Sequence, residues 1–91
     1  MRGDGFEWDD GKAASNRRKH GVSFDDALSA FDDPDGFDED DADQDEERWK
    51  RIGMSAIGLL AVIYTERGPR IRIISARRAT RHEQDGYNRK A

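Results

Sequence analysis

In the stretch Arg70-Ile71-Arg72-Ile73-Ile74-Ser75-Ala76-Arg77-Arg78, two arginines are threaded among β-branched residues and two more follow at the exit. A guanidinium group presents five fixed N–H donors in a fork that matches a phosphate, and a strand holds such forks more firmly than a loop does. The chemistry on offer is the grip of a polyanion. The plainer alternative is a solvated strand face whose arginines salt-bridge to neighbouring carboxylates. A cationic patch of this kind can neutralise a phosphodiester and stabilise the added negative charge of its pentacoordinate transition state. RNA carries its own nucleophile, the 2'-hydroxyl, so without a metal a protein need only orient it and move protons.

His20 is the natural proton carrier because its unperturbed pKa lies near neutrality. Lys19 or Glu47 could take that part if their surroundings shift them. Each has a structural alternative: His20 as a helix-end residue bonded to a last-turn carbonyl, and Glu47 as the solvated tail of an acidic run. Tyr87 could stack on a base or donate to a phosphate, but a lone tyrosine in a terminal helix more often packs its ring on the sheet. Trp8 and Trp49 are core candidates first, and His82 falls on a polar helix. The chain has no Gly-rich phosphate loop, zinc-ligand spacing or Ser-His-Asp order.

The elements that must position these groups can be read along the chain. Phe6-Glu7-Trp8 alternates as a short strand, and Asp9 or Asp10 can cap the helix that follows. That helix runs to His20, with Arg17, Arg18, Lys19 and His20 in its last turn and Gly21 as a left-handed stop. Ser23 caps a second helix, in which Phe24, Ala27, Leu28 and Phe31 share one apolar face, and Asp32-Asp33-Pro34 ends it. Residues 32–47 hold 11 Asp and Glu in 16 positions, so this tract reads as a long loop or disordered segment with a frayed edge strand around Phe37. Strands follow over Arg48–Met54, Gly58–Thr65 and Arg70–Ala76, joined by turns at Ser55-Ala56-Ile57-Gly58 and Glu66-Arg67-Gly68-Pro69 into an antiparallel meander. A short C-terminal helix from Ala79 to about Arg89 is expected to fray near Gly86. The fold class is α+β: a short N-terminal strand plus a three- to four-stranded meander, two N-terminal helices and one C-terminal helix.

Alternation then divides the sheet. Trp49, Leu60, Val62, Tyr64, Ile71 and Ile73 form the face that helices should cover. The other face has Ile52, Met54, Leu59, Ala61, Ile63 and Ile74 toward one end and Arg48, Lys50, Thr65, Arg70 and Arg72 toward the other.

Ninety-one residues at 34% hydrophobic content fit one domain, 1–91, with a modest core. No run is long and apolar enough to span a membrane, and Met1-Arg2-Gly3-Asp4-Gly5 lacks a signal-peptide core, so a cytoplasmic location is expected. The absence of cysteine excludes disulfides and thiolate zinc sites, and two histidines are too few for a histidine-rich metal centre. A net charge of -4 hides a strong asymmetry. Residues 1–47 carry 17 acidic and 5 basic side chains, and residues 48–91 carry 3 acidic and 11 basic ones. The second half is the expected working surface, and the acidic tract solvates it, shields it or meets a basic partner. Use of that tract as metal ligands in a nuclease is the weaker reading, because flexible carboxylates lack the preorganisation a catalytic cation needs.

The string Phe6-Glu7-Trp8-Asp9, Lys12, Asn16, Lys19-His20-Gly21, Phe24, Ala27, Phe31-Asp32-Asp33-Pro34, Glu47-Arg48, Gly53, Thr65-Glu66-Arg67 and Arg72-Ile73-Ile74-Ser75-Ala76-Arg77-Arg78-Ala79-Thr80 resembles the BrnT toxin family over nearly the whole chain. The resemblance implies a ribonuclease of RelE-like fold from a type II toxin-antitoxin system, with RNA as substrate; together with the residue reading above, no cofactor or metal is expected. It also implies a BrnA-type antitoxin with a ribbon-helix-helix domain, through which alone the toxin would meet operator DNA. Glu83 and Tyr87 fall at family-like spacing, while the tract from Asp35 to Glu46 is more acidic than a usual linking strand. With the resemblance, Lys19, His20, Glu47, Arg48 and Arg77 become the candidate catalytic set, and Arg67, Arg70, Arg72, Arg78 and Tyr87 the candidate RNA contacts. On this reading Arg77→Ala abolishes growth arrest and leaves the fold intact, since an arginine at a strand exit carries little packing. The rival is a non-catalytic subunit that binds a repressor and acts in operon autoregulation.

Overall fold

A computed structural model describes residues 5–41 and 47–90. The chain forms β1 (Phe6–Glu7), α1 (Asp10–His20), α2 (Phe24–Leu28), a 3-10 turn (Ser29–Asp32), β2 (Phe37–Asp40), β3 (Trp49–Ser55), β4 (Gly58–Arg67), β5 (Arg70–Arg78) and α3 (Arg81–Lys90). The five strands lie in the order β1-β5-β4-β3-β2, antiparallel throughout except that β1 joins β5 in parallel. This is the expected α+β arrangement.

The helix signals act as their chemistry dictates. The Asp9 side chain accepts from the Lys12 backbone N–H at 2.9 Å, and Gly21 closes α1 with φ 69°, donating its N–H to the Arg17 carbonyl. Ser23 accepts from the Asp26 N–H at 3.0 Å to open α2. After one turn that helix tightens into the 3-10 segment, where the Ser29 hydroxyl donates to the Asp26 carbonyl. The tightening brings the Ala30 carbonyl against β3, where a Cβ on Gly53 would lie 2.5 Å from the Ala30 oxygen. Only hydrogen fits there.

The main core lies between the sheet and α1–α2: Val22, Phe24, Leu60, Val62 and Ile73 are buried among Ala27, Ala30 and Ala76. Trp8 meets Phe24 edge-on at 5.6 Å, and Phe31 meets Tyr64 at 5.2 Å. The opposite face carries a smaller cluster of Ile52, Ala61 and Tyr87, flanked by Phe37 and Leu59. α3 lies on this second face, so the helices are shared between the two sides of the sheet.

Three features go beyond the sequence reading. First, the acidic tract supplies an ordered edge strand: β2 pairs with β3 so that Asp38 faces Arg51 and Glu39 faces Lys50. Both pairs are ionic, at 3.1 and 3.5 Å, which is the cross-strand arrangement that offsets crowded like charge. Residues 42–46, within the tract expected as a loop, lie outside the described residues, as do 1–4 and 91. Second, α3 runs unbroken through Gly86. It is anchored on both flanks, by Glu83 to the sheet and by Tyr87, whose hydroxyl donates to Asp33 at 2.6 Å.

Third, β5 contains a bulge. Ile63 pairs with Ser75 and Tyr64 with Ile73, so Ile74 is an extra residue. Strict alternation from Ile71 and Ile73 would send Arg77 toward the main core. The extra residue instead turns Ala76 inward, where it is fully buried, and places Ser75 and Arg77 on the α3 side with Arg72.

Candidate active site

The α3 side of the sheet gathers Lys50 from β3, Thr65 and Arg67 from β4, and Arg70, Arg72, Ser75 and Arg77 from β5, as pairing and alternation require. Arg48 lies just before β3, two residues from Lys50, and its backbone carbonyl accepts from the Asp41 N–H at 2.9 Å. Glu47 is exposed, and its carbonyl accepts from the buried Thr65 hydroxyl at 2.8 Å. The exit of the acidic tract is thereby fastened beside the arginines.

Glu83 organises the centre. Its side chain is only 7% exposed and receives Arg77 Nη1 at 2.8 Å, Arg77 Nη2 at 3.0 Å, Lys50 Nζ at 2.9 Å and the Thr80 backbone N–H at 2.9 Å. The Thr80 hydroxyl in turn accepts from the Glu83 N–H at 3.2 Å, which is a capping box at the start of α3. The Arg77 fork, with the Thr80 amide and Lys50 behind it, holds this carboxyl far below the usual carboxylate range. Glu83 in turn raises Lys50 and Arg77, so both stay charged. Among the described residues, the bonds Arg77 makes run through Nη1 and Nη2.

At Arg72 and Arg77 the arginine strand follows its salt-bridging reading. Arg72 Nη1 reaches Glu7 at 2.8 Å and Arg77 grips Glu83, while Arg67 and Arg70 stand exposed, Arg70 touching the Phe6 carbonyl at 3.3 Å. Arg77 is no loosely held exit residue. Removing it would strip a nearly buried carboxylate of its bidentate partner, so Arg77→Ala tests stability as much as chemistry, and the expectation of an untouched fold is corrected. Arg78 pairs opposite Leu60 on the α1–α2 side and donates to the Ile57 carbonyl at 2.8 Å, where it braces the β3–β4 turn away from the other arginines. Tyr87 is buried, with its ring beside Ile52 and Ala61, so its packing role is the one the fold uses.

Lys19 and His20 end α1 beside the stretch of β5 that carries the bulge. They line a shallow hollow of about 170 Å³ with Lys12, Ser15, Ile74 and Ser75. Ser75 shares a face with Arg77, so the hollow adjoins the arginine surface at the bulge. The residue that fixes this junction is Asn16, quoted above only for its family-like position. Buried, it donates through Nδ2 to the carbonyls of Val22 (3.0 Å) and Ala76 (2.8 Å) and accepts from the Ala76 N–H at 3.1 Å. Its amide bonds the β5 edge as a neighbouring strand would, beyond the point where β1 stops. A polar residue amid Lys and Arg in a short helix gives no sequence sign of that task.

Among the described residues, no helix is long and apolar enough to cross a membrane, and no group of three or more His, Cys, Asp or Glu side chains is placed to hold a metal ion. No curated protein matches the chain. A family model described as the ribonuclease toxin, BrnT, of type II toxin-antitoxin systems matches residues 8–83. That span takes in the Asp9 cap, the Lys19–His20 hollow, the arginine strand and Glu83, and the chain therefore belongs to the BrnT family of ribonuclease toxins.

Proposed function

We propose that this chain is a metal-independent endoribonuclease toxin, which cleaves RNA, inhibits translation and growth, and is neutralised by a BrnA-type ribbon-helix-helix antitoxin. In this reading operator DNA is met only through the antitoxin, and the protein acts in the cytoplasm. The observation that carries it is the bulge at Ile74, which puts Ser75 and Arg77 on one face with Arg72 and Lys50 and joins that face to the hollow of Lys19 and His20. Lys50, Arg72 and Arg77 hold the scissile phosphate, with Arg48, Arg67 and Arg70 along the flanking backbone. Lys19 or His20 moves protons, and Glu47 is the remaining carboxylate candidate. The 2'-oxygen loses its proton to a basic group, bonds to phosphorus and expels the 5'-oxygen, which takes up a proton. The products are a 2',3'-cyclic phosphate and a 5'-hydroxyl. The charge added in the transition state is met by fixed cations, which is where such a site contributes most.

Purified protein freed of antitoxin should cleave RNA in EDTA and leave cyclic phosphate ends. Lys19→Ala or His20→Ala should lower kcat by about 100-fold or more, the usual weight of a positioned proton carrier. Arg77→Lys, which keeps the charge beside Glu83, should lower it less than Arg72→Ala with Arg77→Lys combined. RNA left intact in EDTA would overturn the reading. The non-catalytic alternative, an antitoxin-binding subunit in autoregulation, is favoured by one observation: Arg72 and Arg77 already bond carboxylates, which acidic antitoxin side chains could supply.

A further inference from the structure

Beside the arginine surface, between β2 and α3, lies a cleft of about 360 Å³ that the catalytic reading leaves unused. Its floor is apolar: Ile52 is fully buried and Phe37 half-buried beside it. Gly86 forms the α3 wall, and a Cβ there would lie 3.8 Å from Phe37 Cζ, so the missing side chain keeps the slot open. The rim is cationic. His82, Arg89 and Lys90 are exposed along it, and Lys90 Nζ sits 4.9 Å from the centroid of the Phe37 ring. At the inner end stand Glu39 and Glu83, the two carboxylates that hold Lys50 at 3.5 and 2.9 Å. The cleft therefore runs into the cluster of Lys50, Glu83 and Arg77.

An apolar slot with an aromatic wall, cations along its rim and carboxylate acceptors at its inner end has the chemistry to take a nucleotide whose base edge carries N–H donors. A planar base gains from stacking on Phe37 whatever its identity, and its backbone gains from the lysine and arginines at either end. An apolar peptide side chain would use the floor and waste the rim. We propose that this cleft seats one base of the RNA substrate, next to the phosphate held by Lys50 and Arg77, with the following phosphate at Arg89 and Lys90. Lys90 swings off the Phe37 ring to admit the base. Glu39 supplies only acceptors at the inner end, so it favours a base whose edge offers N–H donors. The inference rests on the ribonuclease reading and adds to it a determinant of cleavage specificity.

Gly86→Leu fills the slot at a helical position where Leu is a better helix former than Gly, so the fold should be kept. With a fluorescein-labelled hexanucleotide RNA in EDTA, this variant should bind about tenfold more weakly or worse, and kcat/KM should fall by about the same factor. Glu39→Gln, whose amide adds a donor beside the acceptor, should change which bases flank the mapped cuts. Wild-type binding and wild-type cut patterns in both variants would overturn the proposal. So would unchanged RNA cleavage by Gly86→Leu together with loss of antitoxin binding, which would give the cleft to a protein partner. If the wild-type chain binds RNA without cleaving it and Gly86→Leu loses that binding, the ribonuclease reading falls and the cleft stands.

Discussion

At the scale of single residues, the protein spends its polar side chains on fixing geometry. Asn16, Glu83 and Asp33 each satisfy several partners, and each ties a helix or turn to the sheet. Asp33 accepts from the Met54 N–H at 2.7 Å, the Asp35 N–H at 2.9 Å and the Tyr87 hydroxyl, which together lower its pKa. The same carboxylate, with burial, pushes the Tyr87 hydroxyl up from 10.0 to about 12. A phenol whose folded pKa is raised contributes stability that is complete below its unfolded value and fades as pH climbs through the folded one. Wild type should therefore lose part of its stability between pH 10 and about 12. Tyr87→Phe should be less stable at neutral pH by about 1 kcal/mol and should lose less stability over this alkaline range, Tyr64 beside Asp38 supplying the rest, as urea titrations would show. Glu83 and Asp33 have the opposite sign: their depressed carboxylates stabilise the fold above the ordinary carboxylate range and lose that contribution as acid protonates them.

At the scale of elements, the close seat of the 3-10 turn on β3 is the tightest local fit. Gly53→Ala should cost about 1–3 kcal/mol in a denaturant melt, since the Ala30 carbonyl at 2.5 Å from the added Cβ belongs to backbone that must shift bodily. Much of this level was legible in the sequence. Asp9, Gly21 and Ser23 announce their caps through local chemistry, and both hairpins close on the expected turns because their Gly residues and short lengths leave few options. The faces of β3 and β4 follow from alternation as read. What was hidden depends on partners remote in sequence. β2 was expected around Phe37 but only as a frayed edge, because its charges look unfavourable until Arg51 and Lys50 are seen opposite them. The bulge has no marker in Ile73-Ile74-Ser75, and the Asn16 anchor spans 60 positions. Arg77 could be chosen as a site residue but not recognised as the partner of Glu83, since only the placement of α3 brings the two together.

At the scale of the whole molecule, the separated acidic and basic halves meet within one sheet. Asp38, Glu39, Glu7 and Glu83 neutralise Arg51, Lys50, Arg72 and Arg77, which explains how an acidic chain presents a cationic surface without flying apart. Phosphates of RNA would compete with those carboxylates, so binding should weaken steeply with salt. Arg72→Gln should flatten the logarithmic salt dependence of single-stranded RNA binding by about 0.7, the share of one phosphate contact. An unchanged slope would remove Arg72 from the RNA surface. The bulged strand has one more implication. Because a single surplus residue decides which way Arg77 looks, the spacing between Arg72 and Arg77 must stay at its odd count for both to share a face. Loss of one residue between them would turn Arg77 toward the main core, whereas a substitution at position 74 would keep its direction.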